Sequence, residues 1–330
     1  MKDNRYSRQL LIPEWNQDAL KKTCVLVLGV GATGSVVATN LVLSGVGKII
    51  LVDYDTIEVS NLNRQLLFRE EDVGKNKAYV AKHRLESLNP DVDIIDFGEK
   101  MQNISDELKN SVDIIASCLD TFEGRRWANS LALNIRKPMV NGGMFAFMGD
   151  IQTILPYDSA CFECQPLVSQ EKLAQACSPL GEERKEEKNN IEKIALPSIS
   201  TLSSIIGGLM SQEIIKLILG VGSLVKNYLF YDGLSNSFTE LELKKTKECP
   251  LCGEGNKLEN SNFMVYEGEL VKEILIRLKL IFGLIKPEII FEGTMLKDNY
   301  VVKEKIVKNL FVIDEVLSSP LKLNLEYFEN

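Results

Sequence analysis

Two sets of residues in this 330-residue chain have types and spacings that could do chemistry. Gly29, Gly31 and Gly34 form a GxGxxG turn directly after the apolar run TCVLVLG (23–29). Three glycines let a backbone turn tightly and approach a phosphate. A helix starting there offers unpaired N–H groups and the positive end of its dipole. Asp53 closes the next apolar run, KIILVD (48–53), at about the twenty-residue distance from which a carboxylate reads ribose hydroxyls. Beyond it comes a polar loop, Ser60-Asn61-Leu62-Asn63-Arg64-Gln65, with Arg69, Lys75 and Lys77 soon after. Taken alone, such a loop is solvated surface charge. Beside a nucleotide the cations have a role, because a triphosphate carries about four negative charges and each charge-assisted contact is worth roughly 1.5–3 kcal/mol. A dinucleotide such as NAD does not need so many cations; ATP does.

The second set is sulfur. Cys161-Phe-Glu-Cys164 and Cys249-Pro-Leu-Cys252 are two CxxC pairs. Four thiolates make the closed tetrahedral shell of structural zinc. The rival reading is a redox centre, but two pairs, the second followed by Gly253, favour zinc. Zinc there would staple the end of one domain back onto its middle. Cys24 and Cys118 fall within or at the end of predicted buried strands, where packing is the default role. Cys177 differs, since it precedes the charged stretch SPLGEERKEEKNNIEKI (178–194). No histidine is near it in sequence to lower its pKa, so a helix terminus or a lysine would have to. The one histidine, His83, sits in a polar helical stretch and reads as a surface residue.

Elements must position these groups. The short β-branched run 23–29, a helix over 32–47 and a strand over 48–53 make a βαβ unit. A helix over 76–90, strands at 91–97 and 111–118, a helix over 122–136 and a strand at 137–143 continue it. From about residue 144 the pattern changes. Residues 147–156 alternate like an antiparallel strand, 198–220 read as a long buried helix, and 227–243 as a hairpin. A polar break, GEGNKLENSN (253–262), precedes a tail with a helix over 269–283 and strands at 288–293, 310–314 and 321–327. That content suits a small α+β module of β-grasp-like form.

Composition fits these elements: 45% hydrophobic and 25% charged residues are ordinary for a globular chain. A net charge of −8 argues against nucleic acid as a partner. No apolar run reaches the roughly 18 residues of a membrane span, and the N-terminus lacks a secretory signal's apolar core. The expectation is a cytoplasmic protein without a membrane partner.

The residues together resemble the E1-like activating enzymes, including the MoeB, ThiF and HesA group and the catalytic halves of ubiquitin-type activating enzymes. The likeness runs from Arg5-Tyr6-Ser7-Arg8-Gln9 through the glycine turn, Asp53-Tyr54-Asp55, the Ser60–Gln65 loop and Val73-Gly74-Lys75-Asn76-Lys77. It continues through Cys118-Leu119-Asp120-Thr121, Asn141-Gly142-Gly143 and the two CxxC pairs. The resemblance covers about 250 residues and implies a Rossmann-like doubly wound α/β sheet of adenylation type over 1–252; the polar break then reads as a linker at 253–262 before a separate module over 263–330. It implies that MgATP and the C-terminal carboxylate of a ubiquitin-like or sulfur-carrier protein ending in Gly-Gly are joined as an acyl adenylate.

By the same resemblance, Asp53 holds the ribose, with Asp55 beside it. Asn61, Arg64 and Lys77 hold the phosphates, Asp120 binds Mg²⁺, and Arg8 is an arginine finger supplied to the neighbouring subunit of a homodimer. A capping role at the start of a helix is the plain alternative for Asp120. Cys177 matches the place where related enzymes carry an acyl-accepting cysteine, as a thioester or persulfide, though some relatives do not need it for adenylation. The tail lacks any cysteine, against a sulfur-relay extension. In ubiquitin-type enzymes a C-terminal ubiquitin-fold module recruits an E2-like conjugating enzyme. The main expectation is therefore activation of a ubiquitin-like modifier with handover through Cys177. The alternatives are adenylation of a sulfur carrier for molybdopterin, thiamine or tRNA thiolation, an NAD-dependent oxidoreductase, and an inert partner subunit.

Overall fold

The N-terminal half is built from short apolar strands alternating with helices. In the computed structural model, which describes residues 4–164, 197–247, 249, 251–253, 261–266, 268–302 and 310–328, α1 (Gln17–Lys22) leads into β1 (Cys24–Leu28). Every residue of β1 is buried, as a parallel strand covered on both faces must be. α2 (Ala32–Ser44) follows the glycine turn and ends at Gly45 in the left-handed conformation. β2 (Lys48–Val52) then pairs parallel to β1, with Cys24 opposite Lys48.

α3 (Lys77–Leu88) starts where the Asn76 side chain accepts the Tyr79 N–H, and β3 (Asp93–Phe97) follows. The short α4 (Asp106–Asn110), β4 (Ile114–Ser117), α5 (Phe122–Ile135) and β5 (Met139–Phe145) complete the parallel part. The Thr121 side chain caps α5 by accepting from the Gly124 N–H, so Asp120 is not the cap.

After β5 the strands turn antiparallel: β6 (Met148–Ile154), then, beyond α6 (Ser200–Leu219), the hairpin β7 (Asn227–Asp232) and β8 (Ser237–Glu242). The sheet runs β3-β2-β1-β4-β5-β6-β7-β8. Strand order reverses between β1 and β4, the switch point where open α/β sheets take ligands at the carboxyl ends of their strands. α6 has the length and composition of a membrane span, but Leu202, Ile206, Met210 and Ile214 are buried in the core that also holds Val37 and Leu41 of α2.

The tail forms a second sheet, β11-β10-β12-β13-β9. Its elements are β9 (Ser261–Tyr266), α7 (Val271–Phe282), β10 (Glu288–Phe291), β11 (Thr294–Met295), β12 (Leu310–Ile313) and β13 (Leu321–Phe328). The first and last strands, β9 and β13, pair parallel. β9 begins two residues inside the stretch expected to be linker. Ile274, Leu278, Leu310 and Val312 of the tail share one buried cluster with Leu26, Trp127 and Leu131. The tail is packed on the first domain through α5.

Candidate active site

The glycine turn is held by contacts that leave no room for a side chain at Gly29 or Gly34. Gly29 has φ +84, and a Cβ on Gly34 would stand 1.9 Å from the Gly29 carbonyl oxygen. The Gly29 N–H donates to the Val52 carbonyl at 2.9 Å and the Cys118 N–H to that of Leu28 at 2.8 Å. A Cβ on Gly29 would lie 2.8 Å from the Cys118 carbonyl oxygen. The turns after β1 and β4 therefore touch at the switch point, with α2 pointing its N-terminus at the same place.

Asp53 ties the end of β2 to this turn. Its Oδ2 accepts the Val30 N–H at 2.7 Å and its Oδ1 the Asp55 N–H at 3.0 Å. Burial holds the Asp53 carboxyl above the usual carboxylate range, against the downward pull of the Lys77 ammonium and the two N–H donors. Lys77, the first residue of α3, is buried and pairs through Nζ with Asp55 Oδ2 at 3.1 Å. Asn76 donates its side-chain N–H to the Asp53 carbonyl at 3.0 Å. Gly29, Gly34, Asp53, Asp55 and Lys77 thus form one connected unit.

Other expected residues stand outside that unit. Asn61 is buried, its Oδ1 accepting the Glu58 N–H at 3.1 Å. Arg64 is turned onto its own loop, one guanidinium N–H donating to the Ser60 carbonyl and another to Asn63 Oδ1, each at 2.8 Å. Asp120 is exposed at the turn after β4, and its carboxylate has no hydrogen bond or ion pair among the described residues. Arg8 is exposed on the N-terminal segment. Gln9 anchors that segment by donating to the Ser44 carbonyl at 2.9 Å, and Tyr6 packs on Gly45. Both anchors lie at the far end of α2, whose thirteen residues span roughly 20 Å. Cys177 lies outside the described residues.

Three buried polar atoms here have no hydrogen-bond partner among the described residues: Gln65 Oε1, Ser117 Oγ and Asn141 Oδ1. Ser117, the last residue of β4, is the register partner of Asn141 in β5, and the Gln65 amide lies 3.7 Å from where a Gly31 Cβ would be. Buried polar atoms are rarely left unpaired, so these three hold bonding capacity that the described fold does not use. Sequence reasoning gave none of the three a role. It also missed Arg125, whose Nε donates to the Leu119 carbonyl at 2.9 Å and braces the turn carrying Asp120. Burial pushes the Cys118 thiol up to about 12, so it stays protonated and inert at neutral pH.

The four knuckle cysteines meet on the α5 side of the sheet. Cys161 Sγ lies 3.6 Å from that of Cys249 and 3.9 Å from that of Cys164, and Cys164 Sγ lies 3.3 Å from that of Cys252. All four sulfurs fall within 4.8 Å of one another, and none of the four is in a disulfide. Zinc–sulfur bonds of about 2.3 Å in a tetrahedron hold thiolates roughly 3.8 Å apart. The donor set and its spacing fit that ion.

A family model described as the ThiF family matches residues 6–251. The chain belongs to the ThiF family. Among its relatives, the sulfur carrier protein adenylyltransferase of Thermus thermophilus is 32% identical over 262 residues, covering 76% of this chain and 91% of that protein. The ubiquitin-like modifier-activating enzyme 5 of Dictyostelium discoideum is 31% identical over 265 residues, covering 74% of this chain and 66% of the relative. The crystal structure of Escherichia coli MccB with ATP superposes with a TM-score of 0.63 at 26% identity, covering 76% of this chain and 75% of MccB. The ThiF match stops at residue 251, so the second sheet lies beyond it.

Proposed function

We propose that this chain is an ATP-dependent adenylating enzyme that activates the C-terminal glycine of a ubiquitin-like modifier ending in Gly-Gly. The observation that carries the reading is the meeting of the β1 and β4 turns, with the Asp53–Lys77 unit on one side and on the other the exposed Asp120 carboxylate, which has no partner among the described residues. The sulfur-carrier reading, supported by the Thermus relative, shares the adenylation step. It differs in what takes the acyl group afterwards.

ATP would lie across the switch point, its ribose hydroxyls donating to Asp53 and its phosphates against the α2 N-terminus, Asn61, Arg64 and Lys77. An oxygen of the partner's terminal carboxylate attacks the α-phosphorus, the bond to the α,β-bridging oxygen breaks, and pyrophosphate leaves. No proton moves, so no general base is needed, in keeping with the one histidine, His83, lying half-exposed beside Glu86. The obstacle is one anion attacking another, and fixed cations lower it by meeting the charge where it gathers. Arg64 would leave its loop contacts to do so, and Lys77 would act from its buried position.

Asp120 would hold Mg²⁺. One exposed carboxylate plus phosphate oxygens and waters is the usual magnesium set. Bound there, the ion would supply further charge neutralisation. Zinc would fill the four-thiolate cluster as a structural ion, which suits a reducing compartment such as the cytoplasm. Arg8, roughly a helix length from its own glycine turn, would serve the site of a second copy. Leu10, Leu11 and Ile12 beside it are exposed, at 46%, 61% and 51%, and offer the apolar contact of a homodimer. Cys177 would take the acyl group as a thioester, and the tail module, whose first and last strands pair parallel, would serve as a β-grasp-like unit that presents the product to an E2-like enzyme.

Pyrophosphate exchange into ATP tests the reading. It should appear only with a Gly-Gly-ended ubiquitin-fold partner. Exchange without any partner, or none with several, refutes it.

A further inference from the structure

Arg126 takes no part in the nucleotide site, yet it is only 3% exposed. Three groups hold it. Its Nε donates to Glu163 Oε1, one terminal N–H to the Gly283 carbonyl, and the other to the Phe282 carbonyl at 3.1 Å. Those carbonyls belong to the end of α7, where a helix leaves acceptors without intrahelical donors and a cation complements its dipole. Gly283 has φ +59, and a Cβ on it would come within 3.0 Å of the guanidinium, so glycine there provides both the cap and the room.

Glu163 sits between Cys161 and Cys164 in a single turn, Phe162–Cys164. That turn is seated on α5: the Phe162 N–H donates to Asn129 Oδ1 at 3.0 Å, and the Phe162 and Phe122 rings are 5.3 Å apart. The residues flanking its Phe-Glu dipeptide are both prospective metal ligands. A line of contacts therefore runs from four sulfurs through one carboxylate and one guanidinium to the last turn of α7.

We propose that the Arg126–Glu163 pair couples metal loading of the four-cysteine cluster to the seating of the C-terminal module. This rests on the zinc reading given above. With metal bound, the thiolates fix the turn, the turn fixes the Glu163 carboxylate, and the carboxylate keeps Arg126 against the Phe282 and Gly283 carbonyls. Without metal the turn loosens. A buried guanidinium that loses its counter-charge is strongly disfavoured, so Arg126 moves toward water and releases the end of α7. A second contact does not depend on the metal: Asn134 donates to Ser318 Oγ at 2.6 Å and to Ser319 Oγ at 2.8 Å. The module then stays attached while its helix end lets go.

Hydrogen exchange on the full-length chain tests this, with zinc content measured alongside. Stripping zinc under reducing conditions should speed exchange at the C-terminal end of α7 roughly tenfold or more, the scale of one lost charge-assisted hydrogen bond, while β1 stays protected. Glu163→Gln should keep its zinc, show the faster α7 exchange already, and respond little to stripping. If that variant loses zinc, Arg126→Met, which leaves the cysteine turn untouched, should give the same zinc-bound, fast-exchanging state. A wild-type chain with no metal refutes the zinc site and the coupling together. Bound zinc with α7 indifferent to its removal refutes the coupling alone, as does a zinc-loaded Arg126→Met whose α7 exchanges like wild type.

Discussion

At the carboxyl edge of the parallel strands, Asp120 is exposed and, among the described residues, has no partner, while Ser117, Asn141 and Gln65 each keep a buried polar atom unbonded by them. On the α5 side, Arg126 is buried with three acceptors around it. The first arrangement costs stability and leaves bonding capacity open. The second uses its donors within the fold. Asp120 and Arg126 thus differ in their bonding as a side chain that awaits a ligand differs from one that holds domains together, although Glu163 Oε2 and Asn129 Nδ2 on the α5 side are also buried and unbonded among the described residues.

The sharpest way to break that contrast is to remove one member of each. Asp120→Ala should lower pyrophosphate exchange roughly 100- to 1,000-fold, the scale of losing a key electrostatic group, while leaving the thermal midpoint nearly unchanged. Glu163→Ala should do the reverse. It leaves a buried guanidinium unpaired, a loss of about 3–5 kcal/mol, visible as an earlier denaturation midpoint with exchange activity retained at low temperature. A fall of both quantities in either variant would show that the two regions are not separable.

Gly34→Ala tests a position where both properties meet. Its Cβ would stand 1.9 Å from the Gly29 carbonyl oxygen, a clash that only a shift of the glycine turn relieves. Overpacking of this kind costs about 1–3 kcal/mol, and the displaced turn should also weaken nucleotide binding, measurable by calorimetry. Tight ATP binding in this variant would mean that the turn does not cradle phosphate.

These differences set what the sequence could reveal. The parallel half was legible because β-branched runs stopped by glycine, such as Val25–Gly29, write βαβ units plainly. The cysteine cluster was legible because ligand spacing is short and fixed within each pair. β9 was not, since Ser261 and Asn262 open it with turn-like residues. Nor was the Arg126–Glu163 pair: in Gly124-Arg125-Arg126-Trp127 nothing local distinguishes the arginine that braces a turn from the one buried under a second domain. Thr121 rather than Asp120 caps α5, a choice between adjacent residues that propensity does not decide. The Arg126–Glu163 pair was missed because its contacts cross long stretches of chain, which no local pattern encodes.

A smaller effect comes from pH. Burial raises the Asp53 pKa above its ordinary value of 3.8, so the protonated form favours the fold. Asp53's contribution to stability is full below the ordinary carboxylate range and is lost as pH rises through its raised value. Ribose binding has the opposite demand, because hydroxyl donors need the carboxylate. ATP affinity should therefore begin to fall on acidification at a higher pH than a free aspartate would dictate, with proton release on binding in that window. Asp53→Asn should bind more weakly and without that pH dependence.

The smallest expected effects concern two cysteines. Cys118 lies beside the glycine turn, but burial keeps its thiol protonated, so Cys118→Ala should change neither pyrophosphate exchange nor any covalent adduct with the modifier beyond about twofold, within the spread of ordinary packing changes. Cys177→Ala should likewise leave exchange intact, because adenylate formation needs no thiol, yet abolish a reducible enzyme–modifier adduct on a non-reducing gel. An adduct that survives in Cys177→Ala would remove the thioester step from this chain. The adenylate would then pass directly to an outside acceptor, an order of events that the sulfur-carrier reading also allows.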